Sequence, residues 1–377
     1  MAKEDVRELV EGLVGSQVEK LNMTQSCFGN PHAVVLAHGL PRLQQLIDLD
    51  LNLMFPPHGP QIEEGKNVIT QSGAAALAES LPKSQLQVLD LSYHRPGRTG
   101  VVALAQALPD SKLQSLTLRG SGLSADCLEA LAKALFDGAP LKRLSLPDNR
   151  KRTSGRQGIA FSPGLRGGVK ALMKALPESQ LVSLDLSDTD IQCEELVSFA
   201  EGLPKSQLAN LYLTSGSLAI THSNRSVCVE AFRTFAAAVP NSKLTELEVN
   251  WESLLRVGGK KAFEDALSPQ SRIKSLTFAP NSLEEMKTLA QILPQSQLIK
   301  LVLLKDRDQK YPMYETDGEV LSLGLQDSRI ETLDVRKLKQ STGGFEFLKT
   351  LLKGIAKCSL KTLILPEISW NVEIAEV

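Results

Sequence analysis

The fold is decided by the stretch Gly168-Val-Lys-Ala-Leu-Met-Lys-Ala-Leu-Pro-Glu-Ser-Gln-Leu-Val-Ser-Leu-Asp-Leu186. Its first nine residues repeat apolar side chains at the spacing of one helix face. Pro177 then ends the helix, because proline lacks an amide hydrogen and its ring clashes with the preceding turn. The last six residues form the frame Leu-x-x-Leu-x-Leu. The alternation of its apolar positions predicts a short strand.

The same frame occurs twelve times along the 377 residues when Val, Ile, Met and Phe are also accepted at its apolar positions. Successive frames are mostly about 28 residues apart, and a helical stretch lies between them. A strand followed by a helix at a regular period predicts βα units with parallel strands. The frames begin at Val18, Leu46, Leu86, Leu113, Leu141, Leu181, Leu208, Leu244, Ile273, Leu298, Ile330 and Leu360.

The frame resembles that of leucine-rich repeat proteins, and the long helical unit is similar to their ribonuclease-inhibitor-like subclass. The phrase Leu-Pro-x-Ser-x-Leu-x-x-Leu-x-Leu is similar to bacterial type III effectors with leucine-rich repeats. The resemblance covers roughly residues 5 to 366 and implies an α/β solenoid of about 12 repeats. Parallel strands lie about 4.8 Å apart and helices are about 10 Å thick. Inner strands and outer helices should therefore form a right-handed βα horseshoe with a concave parallel sheet.

In one respect the sequence departs from the family pattern. The family usually places Asn or Cys three residues after the last frame leucine, where the side chain bonds neighbouring backbones. Asn149 and Asn281 match this pattern, whereas Ser121 and Thr189 are weaker substitutes and His94 stands in another repeat. We therefore expect irregular loops after the strands.

The repeat extends over nearly the whole sequence, so we expect one leucine-rich repeat domain over residues 1–377. A repeated chain can grow to this length without a central core. Frame spacings longer than 28 residues indicate insertions at about 55–72, 149–167 and 219–227. Residues 366–377 are expected to form a C-terminal tail.

Charge and hydropathy exclude two classes of partner. The chain has 42 basic and 43 acidic residues, and this net charge of −1 favours neither nucleic acid nor an anionic membrane. No apolar run is long enough to span a membrane, and the first residues lack the apolar core of a cleavable signal peptide. We expect a monomer that is cytoplasmic, or that is secreted into a host cell.

Residues between the frame leucines are predicted to face the concave side, because side chains alternate along a strand. They are mostly small and polar, with an acidic bias and two aromatic residues among or beside them. We interpret this surface as a protein-binding face with aromatic anchors, which are frequent at binding hot spots. The alternative is a solvated face that binds nothing. The predicted binding residues are Asp90, Arg119, Arg143, Asp185, Tyr212, Glu246, Glu248 and Trp251.

A second candidate surface is the insertion at 149–167. Residues 142–170 contain eight basic side chains and one acid, which favours docking on an acidic protein or a phosphate group. The alternative is a flexible, solvated loop. The residues of this basic rim are Arg150, Lys151, Arg152 and Arg156.

Motifs of enzymes and metal sites are missing from the sequence. The five histidines have no zinc-binding spacing, and there is neither a nucleophile elbow nor a Gly-rich phosphate loop. Asp48 and Asp50 share a sheet face without a cleft, so we do not expect an acid/base pair. Cys127 and Cys193 stand at helix starts, and we expect both to be buried packing residues. We therefore predict no catalytic residue, metal or cofactor.

These observations favour a non-enzymatic scaffold that binds a protein partner through the concave face and the basic rim. The effector resemblance implies a bacterial protein that recognises a host protein. One alternative is a GTPase-activating protein of the Ran type, which the chain resembles in fold and length, with Arg150 or Arg152 as the catalytic finger. Another alternative is a structural or self-associating repeat protein.

Overall fold

The structure is a computed structural model that describes residues 3–24, 26–53, 67–149, 165, 167–189, 191–193, 195–214, 225–249, 255, 259–304, 313–338 and 344–366. These residues divide into two compact units, the first up to Leu208 and the second from Ala209 onward. The expectation of a single domain stays a prediction.

A short strand lies at each of the twelve frames and begins at the third residue of that frame. The frame leucines therefore mark the strands as the sequence predicted. The strands are β1 (Lys20–Asn22), β2 (Asp48–Asp50), β3 (Val88–Asp90), β4 (Ser115–Thr117), β5 (Arg143–Ser145), β6 (Ser183–Asp185), β7 (Asn210–Leu213), β8 (Glu246–Val249), β9 (Ser275–Phe278), β10 (Lys300–Leu304), β11 (Thr332–Lys337) and β12 (Thr362–Ile364).

Helices alternate with the strands, and the first helix precedes β1. They are α1 (Lys3–Leu13), α2 (Asn30–Gly39), α3 (Gln71–Ser80), α4 (Gly97–Ala107), α5 (Ala125–Phe136), α6 (Val169–Ala175), α7 (Glu195–Gly202), α8 (Arg225–Ala238), α9 (Lys260–Ala266), α10 (Leu283–Ile292), α11 (Glu315–Gln326) and α12 (Gly344–Gly354).

The strands of each unit are parallel and lie side by side in chain order. β1 to β6 pair successively in the first unit, and β7 to β12 do so in the second. The frame leucines stand opposite one another, as Leu49, Leu89 and Leu116 do. Parallel strands in chain order with helices between them confirm the predicted α/β repeat.

The frame leucines form the core of each unit together with the apolar helix residues. Leu49, Leu116 and Leu184 are completely shielded from solvent, and burying each side chain stabilises the fold by about 1.5–3 kcal/mol. Buried aromatic side chains contribute in both units, such as Phe199 in the first. In the second unit the ring of Phe263 on α9 stacks on Phe278 of β9 with centroids 5.6 Å apart.

Shielding is weaker at the first and the last strand. Val18, which opens the first frame, is 38% exposed, and Leu21 of β1 is half-buried. Leu363 and Leu365 of the last frame are half-buried as well. Each outer strand has a neighbouring strand on one side within the described residues, so its leucines pack against fewer side chains.

The Leu-Pro-x-Ser-x-Leu junction has a defined structure in which serine is as important as proline. α6 ends at Ala175, and one 3₁₀ turn with Pro177 at its second position follows before the chain becomes extended. Ser179 Oγ donates to the Leu176 carbonyl at 2.9 Å and accepts from the Leu181 amide at 3.4 Å. The same hydroxyl-to-carbonyl bond is made by Ser84, Ser111, Ser206, Ser242, Ser296 and Ser328.

The turns after β3, β4, β5 and β6 share one backbone conformation. Tyr93, Gly120, Asp148 and Asp188 each stand two residues after the last frame leucine, and their φ angles lie between 51° and 64°. Residues other than glycine adopt this left-handed conformation uncommonly. Its recurrence in four consecutive repeats indicates a regular turn.

The residue that follows this left-handed position links neighbouring repeats. In three repeats its buried side chain hydrogen-bonds the carbonyl of the preceding repeat's last frame leucine. The bonds join His94 to Leu51 (2.8 Å), Ser121 to Leu91 (3.2 Å) and Asn149 to Leu118 (2.8 Å). His94 and Asn149 also accept from the amides of Ile69 (3.0 Å) and Leu123 (3.2 Å). The expectation of irregular loops is therefore wrong for these repeats, because histidine and serine replace asparagine.

Candidate functional site

The face of the sheet opposite the apolar core is called the open strand face. In the first unit it carries four of the predicted binding residues. Asp90 ends β3 and is half-buried, and Arg119 follows β4 and is exposed. Arg143 begins β5 and is exposed, with its Nε 3.5 Å from Ser115 Oγ on the neighbouring strand. Asp185 ends β6 and is half-buried. The register of β3 to β6 therefore puts Asp90, Arg143 and Asp185 on one sheet face, and the role of these residues in binding stays a prediction.

The aspartates of this face also have a structural task that the sequence analysis missed. Each accepts a hydrogen bond from the backbone amide two residues later, which caps the end of the strand. The amide-to-carboxylate distances are 2.9 Å for Asp50, 2.7 Å for Asp90 and 2.9 Å for Asp185. One oxygen of each carboxylate is thus used within its own turn. An acidic strand face is in part a consequence of turn geometry.

Asp90 has the most perturbed environment of these aspartates. Burial raises the pKa of its carboxyl group, and Asp50, its register partner on β2, raises it further by charge repulsion. The hydrogen bonds from Ser92 and the charge of Arg119 act in the opposite direction. The face around Asp90 therefore holds negative charge at a cost in free energy.

Tyr93 belongs to this face, although the sequence did not single it out. The guanidinium of Arg119 lies 5.8 Å from the centroid of the Tyr93 ring, within the range of a cation–π interaction. The ring packs against Gly120, where an added Cβ would stand only 2.7 Å from it. The sequence signal that could have identified Tyr93 was its position two residues after a frame, because the equivalent residue of the next repeat is the small Gly120.

In the second unit three predicted residues come together. Tyr212 on β7 and Glu248 on β8 are register partners, and Asn210 pairs with Glu246 one step earlier. The Tyr212 hydroxyl donates to Glu246 Oε2 at 2.8 Å. The half-buried tyrosine ring is therefore held in place across two adjacent strands.

The other predicted site residues lie outside the described residues. They are Trp251 beyond β8 and the whole basic rim, Arg150, Lys151, Arg152 and Arg156. Asn149, the last described residue before the basic rim, is buried and hydrogen-bonded. The assignment of these five residues to a binding site stays a prediction.

The same structural repeat occurs at every frame. A strand begins at the third frame residue, the central frame leucine pairs with its counterpart on the next parallel strand, and a helix lies between frames. This is the leucine-rich repeat fold. The Leu-x-x-Leu-x-Leu sequence and the parallel strands of this chain carry the assignment.

Comparison with known proteins gives likenesses to solved structures. No protein-family model matches the sequence, and no curated protein matches it either. The leucine-rich repeat-containing protein LegL7 from Legionella pneumophila is similar, with 18% identity and a TM-score of 0.49 over 88% of this chain and 97% of that one. An internalin from Listeria monocytogenes is similar with 14% identity and a TM-score of 0.31 over 88% and 94% of the two chains.

Metal-binding clusters and membrane-spanning helices are both absent from the part of the chain that the structure describes. It contains no cluster of three or more His, Cys, Asp or Glu side chains with the geometry to hold a metal ion. Within the same residues, every helix is too short or too polar to span a bilayer. Cys127 is a buried free cysteine, as expected for a packing residue. Cys193 is buried as well but is disulfide-bonded, so the expectation of a packing cysteine is wrong there.

Proposed function

We propose that this leucine-rich repeat chain is a non-enzymatic scaffold that binds another protein on its open strand face. Most side chains of that face are polar or aromatic, with Val88 and Val302 among the exceptions, and the apolar core lies on the other side of the strands. Asp90 presents a half-buried carboxylate beside Asp50 on this face, and one of its oxygens also caps the end of β3. Carboxylates with a perturbed pKa occur often at binding sites, which supports the proposal.

The observation that carries the proposal is the bond from the Tyr212 hydroxyl to Glu246. Tyrosine is enriched at binding hot spots, because a large ring and a polar tip bury together. A ring already held by a neighbour loses little conformational entropy on binding, which raises affinity. Glu248, the register partner of Tyr212, adds an acidic group beside the ring.

Affinity capture with the tagged chain as bait tests the strand face. We expect Tyr212→Ala to lower partner affinity by at least about tenfold, because a hot-spot aromatic contributes about 1.4 kcal/mol or more. Phe136→Ala is the matched control, since Phe136 is an aromatic residue 62% exposed on α5, away from the strand face. Equal capture by wild type and Tyr212→Ala would remove Tyr212 as an anchor.

We further propose a bacterial effector that recognises a host protein, with the basic rim as a second contact. The support is the resemblance of the Leu-Pro-x-Ser-x-Leu phrase to such effectors and the concentration of basic residues after β5. Replacing Arg150, Arg152 and Arg156 by alanine is expected to weaken capture of the host partner. Unchanged capture would show that the basic rim does not contact the host partner. Faster GTP hydrolysis by a small GTPase in the presence of the chain would favour the Ran-type alternative instead.

A further inference from the structure

In the second unit, a row of basic side chains lies along the N-terminal ends of four adjacent strands, β9 to β12. They flank the first residue of a frame or begin the strand, and all are exposed. We call this surface the cationic edge; its members are Arg272, Lys274, Lys300, Arg329 and Lys361. Ile299 lies among them and is 38% exposed.

Most charge on the cationic edge is not neutralised locally. Lys361 pairs with Glu331 at 2.8 Å, and Arg329 donates to the neutral Gln297 at 2.8 Å. Arg272, Lys274 and Lys300 make no ion pair with any residue that the structure describes. On the helices of the same unit, by contrast, several cations are paired, as Arg233 is with Glu230 and Lys287 is with Glu284. Like charges on neighbouring strands repel one another, so the cationic edge lowers stability unless a ligand neutralises it.

The same positions in the first unit show that the repeat does not require cations there. The residues that flank the first frame positions of β2 to β4 are Gln45, Ile47, Gln85, Gln87, Lys112 and Gln114. They include one cation, and the Gln114 amide donates to Gln87 at 3.4 Å while Lys112 donates to Gln85 at 2.5 Å. Glutamine therefore suffices at these positions in β2 to β4, whereas β5 of the same unit carries Lys142 and Arg143 there. The fold does not need a cation in every repeat, as β9 to β12 have.

We propose that the cationic edge binds an extended acidic segment of a partner protein, separately from the strand face. Four adjacent strands place the cations across about 14 Å, because neighbouring strands lie about 4.8 Å apart. An extended chain covers this distance with four or five residues. Two or three carboxylates on such a segment would neutralise Arg272, Lys274 and Lys300, and an apolar residue would cover Ile299.

An anionic membrane fits the cationic edge less well than a single chain does. The edge is one or two residues wide and includes Glu331. The adjoining strand face adds Glu246 and Glu248 on β8. A planar surface of negative charge would approach these acids together with the cations, whereas a single extended chain contacts the row of cations alone.

The test uses the full chain and a fluorescent peptide of alternating glutamate and serine, followed by fluorescence anisotropy. We expect saturable binding that weakens as NaCl is raised, because exposed charges are screened by salt. The triple variant Arg272→Gln, Lys274→Gln and Lys300→Gln should lower the affinity by at least about tenfold. Glutamine is chosen because it removes the charge, and the first unit carries it at the positions that correspond to Arg272 and Lys274. The single variants Lys274→Gln and Lys300→Gln should each show part of the loss.

The matched control is the double variant Lys83→Gln and Lys205→Gln, which removes exposed cations from junctions of the first unit. It should bind the peptide as wild type does, and a peptide with glutamine in place of glutamate should not bind. The proposal is overturned if wild type shows no saturable binding, or if the triple variant binds as tightly as wild type. Sedimentation with phosphatidylserine vesicles but no peptide binding would also overturn it.

Discussion

At the scale of the residue, His94 makes the same pair of hydrogen bonds to the preceding repeat's backbone that Asn149 makes two repeats later. Its Nδ1 accepts from the Ile69 amide, so the proton of the neutral ring stands on Nε2 and is donated to the Leu51 carbonyl. Burial lowers the pKa of His94 to about 4 and outweighs the opposing effect of the Leu51 bond. A protonated ring would turn an N–H toward the Ile69 amide and lose this bond.

This arrangement predicts a loss of stability in acid. An unfolded histidine has a pKa of about 6.5, so the unfolded chain binds an extra proton between about pH 6.5 and pH 4. The contribution of His94 to the free energy of unfolding is complete above pH 6.5 and falls, by about 3 kcal/mol in total, as the pH approaches 4.

Urea unfolding at about pH 7 and about pH 4.5 measures this contribution. His94→Asn should keep both backbone bonds, as Asn149 does, and should make the stability difference between the two pH values smaller. His38→Asn, which changes an exposed histidine on α2, is the matched control. A variant at His94 with the pH dependence of wild type would contradict the assignment.

At the scale of the element, the sequence predicts buried strands far better than turns. All twelve strands lie where the frames place them, because alternate leucines have only one way to bury their side chains. The turns depend on which polar group reaches a neighbouring backbone, and His94 and Ser121 replace asparagine there. Tyr93 escaped prediction because its neighbours, Arg119 and Gly120, belong to the following repeat.

The junction between helix and strand gives the prediction for this scale. Ser179→Ala removes the hydroxyl that binds the Leu176 carbonyl, and it should lower the free energy of unfolding by about 1 kcal/mol. Ser183→Ala is the control, because that hydroxyl on β6 makes no hydrogen bond with a described residue. It should change stability by less than about 0.5 kcal/mol in urea titrations; equal effects of both variants would contradict the role of the junction serine.

At the scale of the whole molecule, stability is divided among many small cores, and the position of a repeat decides what its leucine contributes. Leu116 on β4 is completely shielded between neighbours, whereas Leu363 on β12 is half-buried. We expect Leu116→Ala to cost about 2–5 kcal/mol and Leu363→Ala to cost less than half of the Leu116→Ala value. Thermal or urea unfolding of the two variants checks this order, and equal losses would show that the last strand is as well packed as an inner one.

The bonds made by His94 and Asn149 also separate the length of a loop from the geometry of the scaffold. Each side chain holds two points of the preceding repeat, Leu51 and Ile69 in one case and Leu118 and Leu123 in the other. Seventeen residues separate Leu51 from Ile69, the points that His94 holds, whereas four residues separate Leu118 from Leu123, the points that Asn149 holds. The same clamp therefore accepts either length. New segments grafted between these points should leave the register of the strands intact, which makes the chain suitable for displaying foreign loops.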